Sequence, residues 1–119
     1  MLMLQINSQT KIFVGLNPVD FRLGIDGLCA FIKQYFNLNP LEGAMFAFTN
    51  TRRSGIKFLI YDGQGYWFCY KRLSQGRLRW WPSGDGDVSS IDARNLLLLI
   101  YNGDPGQVKF KANWKNVQM

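Results

Sequence analysis

The pattern of hydrophobic and polar residues is most informative between Ile56 and Trp81, and the rest of the chain is best interpreted around this stretch. Two runs rich in Ile, Phe, Tyr and Trp flank the tetrapeptide from Asp62 to Gly65. Such runs on either side of a short glycine-bearing turn predict a β-hairpin. A third short run, from Arg77 to Trp81, follows a break at Ser74-Gln-Gly76. The pattern therefore predicts a three-stranded meander.

Successive side chains of a strand point to opposite faces, so the hairpin sorts its residues into two sets. One set is apolar: Ile56, Phe58, Ile60, Trp67 and Cys69. The other set mixes cations with rings: Lys57, Leu59, Tyr61, Tyr66, Phe68, Tyr70 and Arg72. The apolar set is predicted to face the core.

The chain before the meander predicts a strand, a helix and a second strand. The run from Lys11 to Val14 favours a short strand. From Ile25 to Phe36, apolar residues recur with the i, i+3, i+4, i+7 spacing of an amphipathic helix. Ala44 to Thr49 is predicted to be a strand, and the turn after it carries Arg52 and Arg53.

A second helix is predicted after the loop of residues 82–87. The segment Ser89-Ser-Ile-Asp92 resembles a capped helix start, and Asn102-Gly103 is a typical stop. The run from Leu96 to Ile100 makes this helix apolar on more than one side. We therefore expect the helix to be deeply buried or to face a partner protein.

These elements predict an α+β fold: an antiparallel β-sheet of about four or five strands with two main helices, near Ile25–Phe36 and Ser90–Asn102, covering one face. At 119 residues the chain fits a single domain. We expect the folded core to span about residues 11–103. The tail of residues 104–119 is predicted to be either a last strand or disordered.

Charge is strongly segregated along the sequence. Residues 44–81 carry seven Lys and Arg against Asp62 alone, so the whole net charge of +6 lies there. Clustered cations among aromatic rings are typical of a surface that binds a polyanion. The candidate nucleic-acid-binding residues are Arg52, Arg53, Lys57, Tyr70, Lys71, Arg72, Arg77, Arg79 and Trp80. The alternative is that these cations only keep a half-exposed sheet soluble.

Catalytic, metal and cofactor chemistry have little support in the sequence. The chain has no histidine, and its two cysteines, Cys29 and Cys69, form no Cys-x-x-Cys pair, so buried free thiols are expected. A nuclease would need Asp20 and Asp26 to converge with Asp62 or a later aspartate, and no spacing requires this. We predict no catalytic residue, no cofactor and no metal.

The apolar runs are shorter than the roughly 20 residues that a membrane-spanning helix needs. The first residues also lack the basic start and long apolar stretch of a signal peptide. We therefore expect a cytoplasmic protein without a membrane partner.

Several short motifs follow one another along the chain. They are Asp20-Phe-Arg22-Leu-Gly24-Ile-Asp26-Gly-Leu28, Phe46-Ala-Phe48-Thr-Asn50-Thr-Arg52-Arg53, Lys57-Phe-Leu-Ile-Tyr61-Asp62-Gly63-Gln-Gly65-Tyr-Trp67, and Lys71-Arg72-Leu73 with Gly76-Arg77 and Trp81-Pro82. With them the chain resembles, from about Lys11 to Gly103, the small accessory open-reading-frame-2 proteins (TnpB, Orf2-like) of insertion sequences of the IS-sixty-six type. One departure is Leu23, where this family usually has a further basic residue.

The resemblance implies a bacterial protein of a mobile genetic element, encoded beside a separate DDE transposase. It implies a role in transposition, a form of DNA recombination, as an accessory protein and not as the recombinase. The molecular mechanism stays open after this resemblance.

Three hypotheses follow. The first is a DNA-binding accessory factor that uses the basic sheet. The second is an adaptor whose leucine-rich helix holds the transposase or another accessory protein of the same element. The third, a metal-dependent nuclease, is the weakest. The sequence leaves open whether DNA or RNA is bound, and whether the chain forms a homo-oligomer.

Overall fold

The computed structural model describes residues 9–104 and 106, and the elements below are built from these residues. The five strands are β1 (Ile12–Gly15), β2 (Met45–Thr49), β3 (Gly55–Tyr61), β4 (Tyr66–Arg72) and β5 (Val88–Ile91). The two α-helices are α1 (Ile25–Phe31), which continues as a π-helical turn over Ile32–Phe36, and α2 (Ala93–Ile100). A 3-10 turn, Pro40–Glu42, precedes β2. The predicted tail, except for residues 104 and 106, lies outside the described residues.

The α+β class is confirmed, with five strands in the order β4-β3-β2-β1-β5. The prediction of an entirely antiparallel sheet was wrong, because β1 and β2 pair in parallel, with Ile12 beside Met45. The physical reason is the crossover between them. Two parallel strands need a long connection, and here α1 supplies it, so that β1, α1 and β2 form a strand–helix–strand unit.

The two helices cover opposite faces of the sheet, which corrects the expectation that both cover one face. Strand β2 is buried along its whole length and sends its side chains alternately to the two sides. Met45 and Ala47 join the cluster that contains Leu96 and Leu99 of α2. Phe46 joins the cluster that contains α1. The central strand is therefore apolar at nearly every position, as expected of a strand buried on both faces.

The hairpin between β3 and β4 has the predicted faces. Phe58 pairs with Cys69 and Ile60 with Trp67, whereas Lys57 pairs with Tyr70 on the opposite face. Because α1 covers that opposite face, Leu59 is buried there too. Four members of the apolar set lie in or against the α2-side core as predicted, while Trp67 is half-buried and its indole donates to Asp62 in the turn. Part of the mixed set lines the core on the α1 side.

The segment Arg77–Trp81 is not a strand, so the prediction of a three-stranded meander was wrong. β4 forms one edge of the sheet, and the segment turns back across the sheet end. There the Leu78 amide donates to the Arg53 carbonyl at 2.8 Å. The buried Trp81 indole donates to the Gly15 carbonyl at 2.8 Å. Two buried anchors, Leu78 and Trp81, thus replace strand pairing.

The second helix starts later than predicted. Val88–Ile91 forms β5, antiparallel to β1, and the helix begins only at Ala93. Asp92 is the N-cap, and its carboxylate accepts from the Asn95 amide at 2.8 Å. The hydroxyl residues Ser89 and Ser90 therefore belong to an edge strand, and the acidic residue caps the helix.

The first helix matches its predicted limits, and it ends at Asn37, whose left-handed backbone stops the π-helical turn. Among residues 9–104 and 106, no helix has both the length and the apolar character that a membrane crossing requires.

Candidate nucleic-acid interface

One end of the sheet collects most of the predicted cations. β1 and β2 are parallel, and β4 runs in the same direction as β2 because each is antiparallel to β3. The C-terminal ends of β1, β2 and β4 therefore lie together. Six of the predicted cations are exposed there, and we call the surface that they form the basic end: Arg52, Arg53, Lys71, Arg72, Arg77 and Arg79.

The turn between β2 and β3 presents Arg52 and Arg53 in a fixed shape. Asn50 closes this turn, since its side-chain oxygen accepts from the Ser54 amide at 2.9 Å and its side-chain nitrogen donates to the Ser54 hydroxyl at 2.9 Å. Arg53 takes a left-handed conformation with φ of 54°. Such a conformation is uncommon for residues other than Gly, Asn and Asp. The local network therefore holds both arginines at the tip of a closed turn.

The segment after β4 brings Arg77 and Arg79 to the same place. Exposed and buried side chains alternate here, with Leu78 inside and both arginines outside. The hydrogen bond from the Leu78 amide to the Arg53 carbonyl joins this segment to the β2–β3 turn. Two cationic segments that are distant in sequence thus form one surface.

The last strand residues extend the basic end over both sheet faces. Lys71 is paired with Ile56 on the α2 side, and its ammonium donates to the Ile100 carbonyl at the end of α2. Arg72 is paired with Gly55 on the α1 side and is exposed. A cation near the C-terminus of a helix also interacts favourably with the helix dipole.

Lys57 is the predicted cation that does not belong to this surface. Its side chain is buried, with a relative exposure of 7%. The ammonium donates to the carbonyls of Phe21 at 2.5 Å and Leu23 at 3.4 Å. It also lies over three rings, with distances to the centroids of 4.7 Å for Phe21 and 5.3 Å for both Phe68 and Tyr70. Lys57 therefore fastens the loop after β1 to the sheet.

Of the two predicted stacking rings, Tyr70 is the more accessible. It is 51% exposed and lies edge-on to Phe21, with 5.4 Å between the ring centroids. Trp80 is half-buried against the cluster beneath α2. Only Tyr70 of this pair presents much of its ring beside the cations.

Carboxylates near the basic end do not neutralise it. In the part of the chain that the structure describes, none of the six cations forms an ion pair with a carboxylate. Asp20 is occupied by Arg22, at 2.7 Å. The hydrogen bonds from the Arg22 side chain and amide lower the pKa of Asp20 to about 2. Asp87 lies on the β1–β5 side, where Asn17 donates to its carboxylate at 3.4 Å.

The nuclease hypothesis gains no support from the placement of the aspartates. Asp20 lies in the loop at the basic end, and Asp62 lies in the β3–β4 turn at the opposite end. Asp62 accepts from the amides of Gln64 and Gly65 and from the Trp67 indole, and these bonds lower its pKa. Within residues 9–104 and 106, no three His, Cys, Asp or Glu residues are grouped as metal ligands would be.

The leucine-rich helix offers little exposed surface of its own. Leu96, Leu98 and Leu99 are buried, while Leu97 and Ile100 are half-buried. The extra apolar residues of this helix are thus largely used within the fold. The hypothesis that this helix binds a partner protein stays a prediction. The exposed surface of α2 shows no continuous apolar stripe to support it.

The fold and the site together define a small α+β protein whose most distinctive charged feature is a cationic sheet end. Comparison with known families then identifies the group. The chain matches the family described as IS66 Orf2 like protein over residues 10–109, and it belongs to this family. Membership implies an accessory protein of transposition.

Two relatives come from Sinorhizobium fredii (strain NBRC 101917 / NGR234). The uncharacterized protein y4hO is 32% identical over 98 residues, which cover 82% of this chain and 84% of y4hO. The uncharacterized protein y4jC is 31% identical over 101 residues, which cover 85% of this chain and 86% of y4jC. No solved structure matches the chain.

Proposed function

We propose that this protein is a non-catalytic accessory factor of transposition that binds DNA through its basic end. It acts in the bacterial cytoplasm together with a DDE transposase encoded by the same element. The observation that carries this proposal is the convergence of six exposed cations from the β2–β3 turn, the end of β4 and the segment after β4, none paired with a described carboxylate. Unpaired cations are free to replace the counterions of a phosphate backbone.

The arrangement of the cations suits contacts to DNA phosphates better than recognition of base edges. The cations lie on turns and strand ends, and no described helix or strand carries them along one protruding face. Contacts to phosphates supply affinity without sequence information. The protein is therefore expected to bind specific and scrambled duplexes with similar affinity, and to leave sequence choice to the transposase.

A salt series tests the proposal. Binding of the purified protein to a duplex of the element's terminal sequence, and to a scrambled duplex, is measured at increasing salt. With roughly three to five phosphate contacts, log K should fall against log salt with a slope of about −3 to −4.5. A fourfold increase in salt then weakens binding roughly 60- to 500-fold. Affinity that is absent at low salt, or constant across the series, contradicts the proposal.

Single substitutions test which cations form the DNA-binding surface. Arg72→Ala or Arg77→Ala should weaken binding to both duplexes and flatten the slope by about one unit. Arg94→Ala, at the start of α2 and therefore at the other end of the sheet, should do neither. Equal effects from all three variants would mean that net charge alone, and not the basic end, governs binding.

A ring substitution distinguishes single-stranded from double-stranded DNA. Tyr70→Ala should cost about 1 to 3 kcal/mol on a single strand and much less on a duplex, because only unpaired bases can stack on the exposed ring. Tyr70→Phe keeps the ring and should bind like the unsubstituted protein. An equal loss in Tyr70→Ala on both substrates would argue against stacking.

A further inference from the structure

Asn102 links the end of α2 to the cationic segment. The helix ends in a Schellman arrangement, with the Gly103 amide donating to the Leu98 carbonyl at 2.7 Å and the Asn102 amide donating to the Leu99 carbonyl at 3.3 Å. Asn102 itself has a left-handed φ of 56°. This geometry turns the asparagine side chain away from the helix axis and toward the sheet end.

The side chain of Asn102 bonds the backbone on both sides of Leu78. Its oxygen accepts from the Arg79 amide at 2.7 Å. Its nitrogen donates to the Arg77 carbonyl at 3.3 Å. The backbone groups of both arginines are therefore tied to the helix end, while their side chains stay exposed.

We propose that Asn102 is a positioning residue of the DNA-binding surface, and this inference rests on the proposed function. By fixing the backbone of Arg77 and Arg79 before DNA arrives, Asn102 lowers the conformational entropy that binding must remove. Asn102 touches no phosphate in this scheme. It acts through the two arginines.

Asparagine suits the position for two separate reasons. It tolerates the left-handed backbone better than most residues, and its amide supplies one acceptor and two donors on a short side chain. Glycine would keep the backbone and lose both hydrogen bonds. Aspartate would keep the acceptor for the Arg79 amide and lose the donor for the Arg77 carbonyl.

The test compares Asn102→Gly with Asn37→Gly. Asn37 ends the first helix and its π-helical turn with the same kind of left-handed backbone, φ 54°, and lies on a different element. Both variants lose an asparagine side chain at a position where glycine fits. Thermal unfolding shows that each variant folds, hydrogen exchange reports the Arg79 amide, and a salt series on duplex DNA reports binding.

Asn102→Gly should weaken DNA binding about three- to tenfold relative to Asn37→Gly, which corresponds to the loss of one or two hydrogen bonds. The salt slope should stay unchanged, since both arginines still reach phosphates, whereas Arg79→Ala should flatten it by about one unit. The Arg79 amide should exchange faster in Asn102→Gly, and Asn102→Asp should restore its protection.

Two results would overturn the inference. One is unchanged protection of the Arg79 amide in Asn102→Gly, which would show that other contacts hold the segment. The other is equal DNA affinity of the two glycine variants when the unsubstituted protein binds with the expected salt slope. If the unsubstituted protein binds no DNA at any salt concentration, the proposed function fails, and the exchange measurement still decides whether Asn102 holds the segment.

Discussion

At the basic end, six cations lie on turns and strand ends, and none of them is paired with a described carboxylate. At the opposite end of the sheet, by contrast, carboxylates close a turn and cap a helix. Asp62 accepts three hydrogen bonds in the β3–β4 turn, and Asp92 caps α2. The difference teaches that the two carboxylates at the opposite end are committed to the fold, while the six cations, apart from Lys71 with its bond to the Ile100 carbonyl, remain available to a ligand.

The availability of the cations depends on how their backbone is held. The cationic segments are fixed by hydrogen bonds between backbone groups and by backbone amides that donate to the neutral side chains of Asn50 and Asn102. Carboxylates could have accepted from the same backbone amides, but they would have lost the donor that each asparagine also supplies and would have neutralised part of the surface. Neutral contacts keep the positive potential intact.

Lys57→Ala should have the largest effect on stability among the cations near the basic end. It removes a buried donor and the aliphatic chain between β3 and the loop after β1, so the free energy of unfolding should fall by about 2 to 4 kcal/mol. Arg72→Ala, on the exposed strand end, should change it by about 0.5 kcal/mol or less. Chemical denaturation measures both.

A small loss of unfolding free energy in Lys57→Ala would contradict the distinction between the buried cation and the exposed ones. In that case the loop after β1 would be held by other contacts, such as the hydrogen bond from the Val19 amide to the Thr49 carbonyl at 2.9 Å. Lys57 would then have to be considered again as a surface cation.

Asp92→Ala should have an intermediate effect, confined to stability. Loss of the N-cap hydrogen bond should lower the free energy of unfolding by about 1 kcal/mol, and Asp92→Asn should recover most of it because asparagine also caps well. The two variants change the net charge equally, so they form a matched pair. DNA affinity, measured at one salt concentration, should be the same for both.

A loss of affinity in Asp92→Ala that Asp92→Asn does not share would show that the two ends are coupled through α2. That outcome would contradict a basic end that works independently of the helix start.

The smallest expected effect is the change with pH in the stability that the Asp20–Arg22 contact contributes. Because the folded state lowers the pKa of Asp20 from 3.8 to about 2, the Asp20–Arg22 contact stabilises the fold fully above pH 3.8 and loses this contribution as the pH falls through about 2. The difference in unfolding free energy between the unsubstituted protein and Asp20→Asn should shrink over the same range.

Added salt should change the pKa values of Asp20 and Asp62 by different amounts. Hydrogen bonds from Arg22 lower the pKa of Asp20 most, and because the side-chain partner is charged and exposed, added salt should raise this pKa part of the way toward its ordinary value. The pKa of Asp62 should move less, because backbone and indole hydrogen bonds lower it. Carboxyl NMR titration at low and high salt measures both, and equal shifts would show that the two ends do not differ in this way.

The local elements were largely predictable from the sequence. The β3–β4 hairpin, its two faces and the helix from Ile25 to Phe36 follow from periodicity and from the turn at Asp62, because these signals act between neighbours in the chain. The parallel pairing of β1 with β2 was also available in principle, since a strand, a helix and a strand of unbroken apolar character indicate such a unit.

The sequence by itself determined where positive charge is concentrated and which residues alternate along each strand. Only the tertiary structure decided that Lys57 is buried, that Arg77 and Arg79 leave the sheet, and that Asn102 holds them from 25 and 23 residues away. The physical reason is that charge and periodicity are properties of short segments. Burial and long-range hydrogen bonds depend on which segments the completed sheet and its two helices bring together.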